Sequence, residues 1–157
     1  MTKLSFLSYF DGSPKLPVNP WWLAVPLYPL AGLGDYGSEE ELLPFEILDT
    51  NNENVMRELI RNHFVPYVHR IDADSISKLK RAYQYYLSQE KFRWESAVFD
   101  TLYMPFECPR NARSFFLWIW EECFPSEEWL IREFRRFFVD ENLDEPNRSI
   151  RLTPETK

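Results

Sequence analysis

Residues that interrupt helices are concentrated in the first third of the chain, and this asymmetry constrains the fold more than any other sequence feature. All four glycines lie at or before Gly37, and six of the twelve prolines lie at or before Pro44. Glycine and proline break helices and favour turns. Residues 1–49 are therefore predicted to form an irregular Pro/Gly-rich segment with room for one or two short strands, at Leu4–Phe10 and Phe45–Leu48.

The chain after residue 50 has apolar residues at the spacing typical of amphipathic helices. Capping signals stand at nearly every expected helix start. The pattern predicts about five helices in a body covering residues 50–139. Their expected bounds are Asn52–Phe64, the Asp72–Asp74 cap to Gln89, Lys91–Tyr103, Pro109 to Glu122, and Ser126–Val139, the last with Leu130, Phe134, Phe137 and Phe138 facing inward.

Length and composition indicate one globular domain, residues 1–157. A chain of 157 residues and 19.0 kDa is the common size of a single domain. Apolar residues at 45% and aromatic residues at 17% are too abundant for a disordered chain. The charged residues 140–157 are predicted to be mobile or loosely docked. The predicted fold class is mainly α, a single-domain helical bundle with the irregular N-terminal segment.

The aromatic segment Leu16–Leu33 has two interpretations. Trp21, Trp22 and their apolar neighbours either cover the helices as part of the core or form an exposed anchor for a partner protein. Adjacent aromatic residues in a globular domain are more often core. The second interpretation would suit a structural or assembly subunit, for example one derived from a phage.

No motif in the sequence indicates catalysis, and we predict no catalytic residue, no metal site and no cofactor. Gly32, Gly34 and Gly37 match the bare dinucleotide-binding pattern, but no strand precedes them and no suitable helix follows. His63 and His69 lie on either side of Pro66 and do not share a helix face as paired metal ligands would. A small enzyme that uses one of these histidines is a less favoured alternative.

The charge of the chain is concentrated in one window. Residues 35–58 hold eight acidic residues and one basic residue, Arg57, a balance of −7 that equals the net charge of the whole chain. Such a local negative field is suited to a basic partner. Solubility and helix capping alone could also account for the acids. The predicted partner-binding residues are Asp35, Tyr36, Glu39, Glu40, Glu41, Glu46 and Asp49.

The function we expect from these features is inhibition of a basic protein by an acidic one. A nuclease active site is positively charged because it holds phosphate. Carboxylates beside aromatic anchors therefore help its inhibitor to bind. The leading hypothesis is an immunity protein or antitoxin that neutralises a nuclease-like toxin. A DNA mimic that blocks a DNA-binding protein is an alternative, because it would need the same negative charge. Nucleic acid and membrane are not expected as partners, and the oligomeric state stays open.

Two cysteines, Cys108 and Cys123, stand near opposite ends of one predicted helix, too far apart for a disulfide. Free thiols fit a reducing compartment. The N-terminus does not resemble a signal peptide, and the apolar stretch from Pro20 to Gly34 is too short and too interrupted to span a bilayer. The sequence therefore predicts a cytoplasmic protein.

Overall fold

The structure, a computed structural model, describes residues 15–154. Over these residues the chain forms eight α-helices, three short 3-10 helices, one π-helical turn and a two-stranded parallel sheet. The mainly α prediction is confirmed, whereas the count of about five helices is wrong. The strand candidate Leu4–Phe10 lies outside the described residues. The named elements are β1 (Leu16–Val18), α1 (Leu33–Tyr36), α2 (Glu39–Glu46), α3 (Glu53–Leu59), α4 (Val65–Val68), α5 (Ala73–Leu87), α6 (Trp94–Ala97), α7 (Ala112–Cys123), β2 (Phe137–Val139) and α8 (Glu145–Ser149).

The 3-10 helix Pro20–Leu27 lies in the core. Its start is capped by the Asn19 side chain, which accepts a hydrogen bond from the Trp21 amide at 2.9 Å. The buried Tyr83 hydroxyl on α5 donates to the Leu23 carbonyl oxygen at 2.8 Å. Four side chains of the 3-10 helix are at most 1% exposed: Trp22, Leu23, Val25 and Leu27. The core interpretation of this segment is confirmed, and the exposed-anchor interpretation is wrong.

The first predicted helix continues past Pro66 instead of ending before it. After α3, residues Ile60–Phe64 form a π-helical turn, and α4 follows directly. Proline has no amide to donate to the carbonyl four residues earlier, so an ordinary α-helix would lose a bond there. The wider turn, closed by the Val65 amide on the Ile60 carbonyl oxygen, changes the hydrogen-bond register just before Pro66.

The helices α5 and α7 agree with their predictions. Asp72 caps α5 by accepting from the Ser75 amide at 3.1 Å, and Asn111 caps α7 by accepting from the Ser114 amide at 3.0 Å. Helix α7 begins three residues after Pro109, which therefore precedes the first turn. Its buried side chains, Phe115, Phe116, Ile119, Trp120 and Cys123, place it in the centre of the body.

Two predicted elements are shorter or different in the structure. The helix expected over Lys91–Tyr103 is reduced to α6 and the 3-10 helix Phe99–Thr101. The Thr101 hydroxyl donates to the Val98 carbonyl oxygen at 2.7 Å, a local bond that competes with helix formation. The strand predicted over Phe45–Leu48 is wrong, because Phe45 and Glu46 complete α2.

The fifth predicted helix, Ser126–Val139, is wrong. Ser126 has a φ of 68°, outside the helical range. The following backbone is held by side chains of α5: Gln84 donates to the Glu128 carbonyl oxygen at 3.0 Å, and the Ser88 hydroxyl accepts from the Ile131 amide at 2.9 Å. These bonds replace the helical ones. Phe137–Val139 then pairs in parallel with Leu16–Val18 as β2 beside β1.

The segment after β2, predicted to be mobile or loosely docked, is bonded to the body in the structure. Glu145 on α8 accepts from the Trp22 indole N–H at 2.9 Å. The Arg151 amide donates to the Asp72 carboxylate at 2.7 Å, and Ile71 and Leu152 form an antiparallel bridge. The Asp72 carboxylate thus caps α5 and also attaches the C-terminal segment to the start of that helix. The hydrogen bond from Arg151, outweighing partial burial, lowers the pKa of Asp72.

Candidate functional site

The seven predicted contact residues occupy α1, α2 and the turn that follows α2. All seven are exposed. Residues 35–49 contain six acidic residues and no Lys or Arg, so this short stretch carries almost the whole net charge of −7. Helix α2 spans eight residues, about 12 Å of helix axis. Its four glutamates are therefore confined to one small part of the surface.

A capping box sets the start of α2. The Ser38 hydroxyl accepts from the Glu41 amide at 3.2 Å, and the Glu41 carboxylate accepts from the Ser38 amide at 3.0 Å. Negative charge in the first turn is favourable because a helix N-terminus is partially positive. Phe45 attaches the inner side of α2 to the core, with its ring 6.3 Å from that of Phe106. All four glutamates of α2 remain exposed.

Large apolar side chains are exposed among these acids. Tyr36 is 85% exposed, Leu43 62% and Ile47 89%. On α2 and its C-cap, Glu39, Leu43 and Ile47 follow each other at intervals of four and share one side of the helix. Exposed apolar residues that occur singly are ordinary, but a group beside like charges is typical of an interaction surface.

Tyr103 joins this surface from a distant part of the chain. The Gly34 amide donates to the Tyr103 carbonyl oxygen at 2.8 Å, and the Gly32 amide donates to that of Leu102 at 2.8 Å. A Cβ atom on Gly34 would collide with backbone carbonyls of residues 103 and 104, which explains the glycine there. Tyr103 has a φ of 50° and is 63% exposed. Gly32 and Gly34 thus allow the backbone of residues 32–34 to pack against that of residues 102–104.

We name this surface the acidic face. It consists of Asp35, Tyr36, Glu39, Glu40, Glu41, Leu43, Glu46, Ile47, Asp49 and Tyr103. Leu43, Ile47 and Tyr103 are not among the contact residues predicted from the sequence. The spacing of Leu43 and Ile47 relative to the inward Phe45 was a usable signal for the first two. Nothing in the sequence pointed to Tyr103, because its position depends on a contact between distant segments.

The carboxylates of the acidic face differ in what they bond. Asp35, Glu39, Glu40 and Glu46 have no side-chain hydrogen bond or ion pair within residues 15–154. Glu41 is occupied by its capping box, and Asp49 accepts from the Asn51 amide at 3.1 Å within a turn. Four of the six carboxylates are therefore available to an external cation.

A second group of acids is neutralised inside the fold. Arg57 binds Glu53 at 2.7 Å and Glu122 at 2.9 Å, and it also binds Glu121. Arg61 binds Glu122 at 3.1 Å. We name these five residues the Arg57 cluster. Its glutamates add little to an open negative field, because Arg57 on α3 and Arg61 on the π-helical turn balance two of the three negative charges.

The protonation of Glu122 reflects these partners. Burial opposes the charged form, since the side chain is only 15% exposed. Hydrogen bonds from Arg57 and Arg61 outweigh burial, and the pKa of Glu122 lies below its ordinary value. The same carboxylates raise the pKa of Arg57. Arg57 and Glu122 accordingly hold each other in the charged form.

The histidines and cysteines form no catalytic arrangement with one another in the described part of the chain. Burial lowers the pKa of His63, whose ring lies 5.9 Å from that of Phe45. His69 donates through Nε2 to the Cys123 carbonyl oxygen at 3.0 Å. Burial, with nearby Glu95 and Asp100, raises the pKa of the Cys108 thiol to about 12, far from that of a reactive thiolate.

The basic residues in the middle of α5 bond within the fold. Lys80 binds Glu127 at 2.8 Å, Lys78 lies 3.7 Å from Glu145, and Arg81 donates to the Pro17 carbonyl oxygen. Across residues 15–154, no three His, Cys, Asp or Glu side chains are grouped as metal ligands. The same residues include no helix that is both long enough and apolar enough to cross a membrane.

Comparison of this chain with protein-family models, with curated proteins and with solved structures finds no match.

Proposed function

We propose that this protein binds a basic protein partner through the acidic face and inhibits it. The observation that carries the proposal is the combination on one surface of four carboxylates that have no partner among residues 15–154 and four exposed apolar side chains, Tyr36, Leu43, Ile47 and Tyr103. Carboxylates steer a basic partner into place, and aromatic and aliphatic side chains supply contact area when they are desolvated.

The partner we propose is a nuclease-like toxin, which makes this chain an immunity protein or antitoxin. A nuclease must present a positive surface to bind a phosphate backbone. Carboxylates placed over that surface occupy the cations that substrate needs, and the tyrosine rings exclude water around them. A cytoplasmic location belongs to this proposal, supported by the free thiols of Cys108 and Cys123.

The exposed apolar residues favour a specific protein interface over pure mimicry of DNA. A DNA mimic needs mainly regularly spaced negative charge, whereas Leu43 and Ile47 offer area that only a complementary apolar surface can bury. The assembly-subunit alternative depended on an exposed Leu16–Leu33 arm. The burial of Trp22–Leu27 removes that support.

The test uses two variants with equal charge change. The face variant carries Asp35→Asn, Glu39→Gln, Glu40→Gln and Glu46→Gln. The control variant carries four acid-to-amide substitutions at exposed positions elsewhere: Glu90→Gln, Glu107→Gln, Glu133→Gln and Glu141→Gln. Tagged wild-type protein and both variants are used to capture proteins from the native lysate at low and high salt, and captured proteins are identified by mass spectrometry.

The proposal expects a basic protein that wild type and the control variant capture at low salt and that the face variant does not. The captured protein should have nuclease activity, and addition of wild-type chain should suppress it. Capture of the same proteins by both variants would contradict the proposal. Capture of only further copies of this chain would instead support an assembly role.

A further inference from the structure

The two strands of the small sheet differ at their outer edges. On β1, Pro17 has no amide to offer, and its carbonyl oxygen accepts from the Arg81 side chain at 3.0 Å. A proline and an already bonded carbonyl close an edge strand to further pairing. The β2 strand contains no proline. The sheet therefore has one closed edge, along β1, and the state of the other edge depends on the backbone groups of β2.

Backbone groups on the outer edge of β2 are open to a further strand. The Asp140 amide donates to the Val18 carbonyl oxygen at 2.9 Å, so the even-numbered residues of this segment bond toward β1. Phe137 and Val139 direct their backbone groups to the other side, because the bonding side alternates along a strand. The Phe137 amide donates to the Phe134 carbonyl oxygen. Outside the sheet, the Phe137 carbonyl oxygen and the Val139 amide have no hydrogen-bond partner among residues 15–154.

The side chains of this edge are apolar in the middle and oppositely charged at the two ends. Phe138 is 46% exposed and Val139 44%. Arg136 forms no ion pair within residues 15–154, and the Asp140 carboxylate there accepts from the Asn142 amide alone, at 3.3 Å. Two arginines precede β2 and two acids follow it: Arg135, Arg136, Asp140 and Glu141.

A strand with this order of charges is complementary to itself when two copies run antiparallel. With Phe138 opposite Phe138 of a second copy, the Val139 amide of each copy meets the Phe137 carbonyl oxygen of the other. The same register places Arg136 opposite Asp140 of the second copy, and the two-fold symmetry repeats that pair. A parallel arrangement would instead place like charges side by side.

We propose that two copies of this chain pair antiparallel through β2, with Phe138 at the two-fold axis, so that their sheets become continuous. A second copy fits this edge because the open backbone groups and the charge order are both matched by a single rotation. Both copies use the same surface, and the β1 edges are closed, so the assembly ends at a dimer. The pairing uses no residue of the acidic face and is independent of the proposed inhibition.

The test measures the dimer dissociation constant of the full chain by sedimentation velocity over a series of protein concentrations. Arg136→Asp and Asp140→Arg are studied separately and as an equimolar mixture. Each of them makes like charges face one another twice in a dimer of identical copies. In the mixture, a dimer with one copy of each variant again has an arginine opposite every aspartate. Arg110→Asp, an equal charge change at an exposed position outside β2, is the control.

The proposal expects a reversible dimer for the wild type and the control. The dissociation constant should rise at least about tenfold in each single variant and return close to the wild-type value in the mixture. A wild-type chain that stays monomeric up to about 1 mM would overturn the proposal. A mixture that dimerises no better than the single variants, or a control that weakens the dimer as much as they do, would also overturn it.

Val139→Pro separates strand pairing from a contact between charges alone. It removes the amide that faces the second copy and leaves the Asp140 bond to β1. The variant should be monomeric at concentrations where the wild type is a dimer, with circular dichroism confirming that it is folded. A folded Val139→Pro chain that dimerises like the wild type would overturn the strand pairing. If this variant does not fold, the mixture of the two charge variants still decides, because Arg136 and Asp140 are exposed.

Discussion

The acidic face and the Arg57 cluster contain the same kind of residue in different electrostatic situations. On the acidic face, four exposed carboxylates have no cationic partner within residues 15–154. In the Arg57 cluster, three glutamates surround two arginines, and the side chains of Arg57 and Glu122 are only 21% and 15% exposed. The first arrangement leaves charge for an external partner. The second uses charge to join α3 to α7.

This difference shows that acid counts alone do not locate a binding surface. Glu121 and Glu122 are adjacent acids in the sequence, as Glu39 and Glu40 are. Only the packing of α3 against α7 supplies cations to the first pair. We therefore expect substitutions in the Arg57 cluster to change stability and substitutions on the acidic face to change binding.

The largest expected effect is on the stability of an Arg57→Gln variant. Removing Arg57 leaves Glu53, Glu121 and Glu122 close together with only Arg61 to compensate. Because the pair with Glu122 is largely buried, the free energy of unfolding should fall by about 3 kcal/mol. Urea denaturation measures this loss. Stability equal to wild type would show that the cluster contributes no net attraction.

The next effect is on binding by a Tyr36→Ala variant. An exposed aromatic anchor at the centre of an interface contributes about 2 kcal/mol, roughly thirtyfold in the dissociation constant. Calorimetric titration with the captured basic partner measures it. Leu143→Ala, which truncates a 58% exposed apolar residue outside the acidic face, is the control and should bind normally. An equal loss of affinity in the two variants would show that Tyr36 does not lie in the interface.

A smaller effect concerns acid stability. The folded pKa of Glu122 is lowered, so its stabilising contribution is present above the unfolded pKa and is lost as pH falls through the folded pKa. Glu122→Gln should lower stability at neutral pH by about 1 kcal/mol and make stability less dependent on pH in the acid range. Urea midpoints between neutral and acid pH test this. An unchanged pH dependence would contradict the assignment.

The smallest effect is the stability of the face variant. Its four substituted carboxylates have no side-chain partner in the described structure, so the free energy of unfolding should change by no more than about 0.5 kcal/mol. Relief of like-charge repulsion should offset the lost interaction of Glu39 and Glu40 with the N-terminus of α2. The same urea experiment measures it. A loss as large as that of Arg57→Gln would remove the distinction between the two regions.

Local sequence signals predicted the elements that depend on local chemistry. The start of α5 follows from the Asp72–Asp74 cap, and the mainly α class follows from helical periodicity. The failures occur where distant groups override local preference. Ser126–Val139 has an amphipathic pattern, but Gln84 and Ser88 on α5 bond its backbone, and Phe137–Val139 pairs with a strand more than a hundred residues earlier.

The candidate site was predictable only in part, for a related reason. The acids of residues 35–49 are visible as a charge run, and the structure keeps them exposed. Whether these acids can bind an external cation depends on the absence of nearby arginines and lysines. That absence can be judged only from the three-dimensional positions of these basic residues, which the sequence does not give. Tyr103 reaches the acidic face only because Gly34 allows two backbones to approach closely.

The most direct test of the central claim is the association rate constant with the captured basic partner, measured by stopped-flow fluorescence at increasing salt. At low salt the face variant should associate at least about tenfold more slowly than wild type, whereas the control variant should associate nearly as fast. High salt should bring the three rates together. Equal rates for the face and control variants at every salt concentration would show that net charge alone matters, and would contradict the assignment of the acidic face as the binding surface.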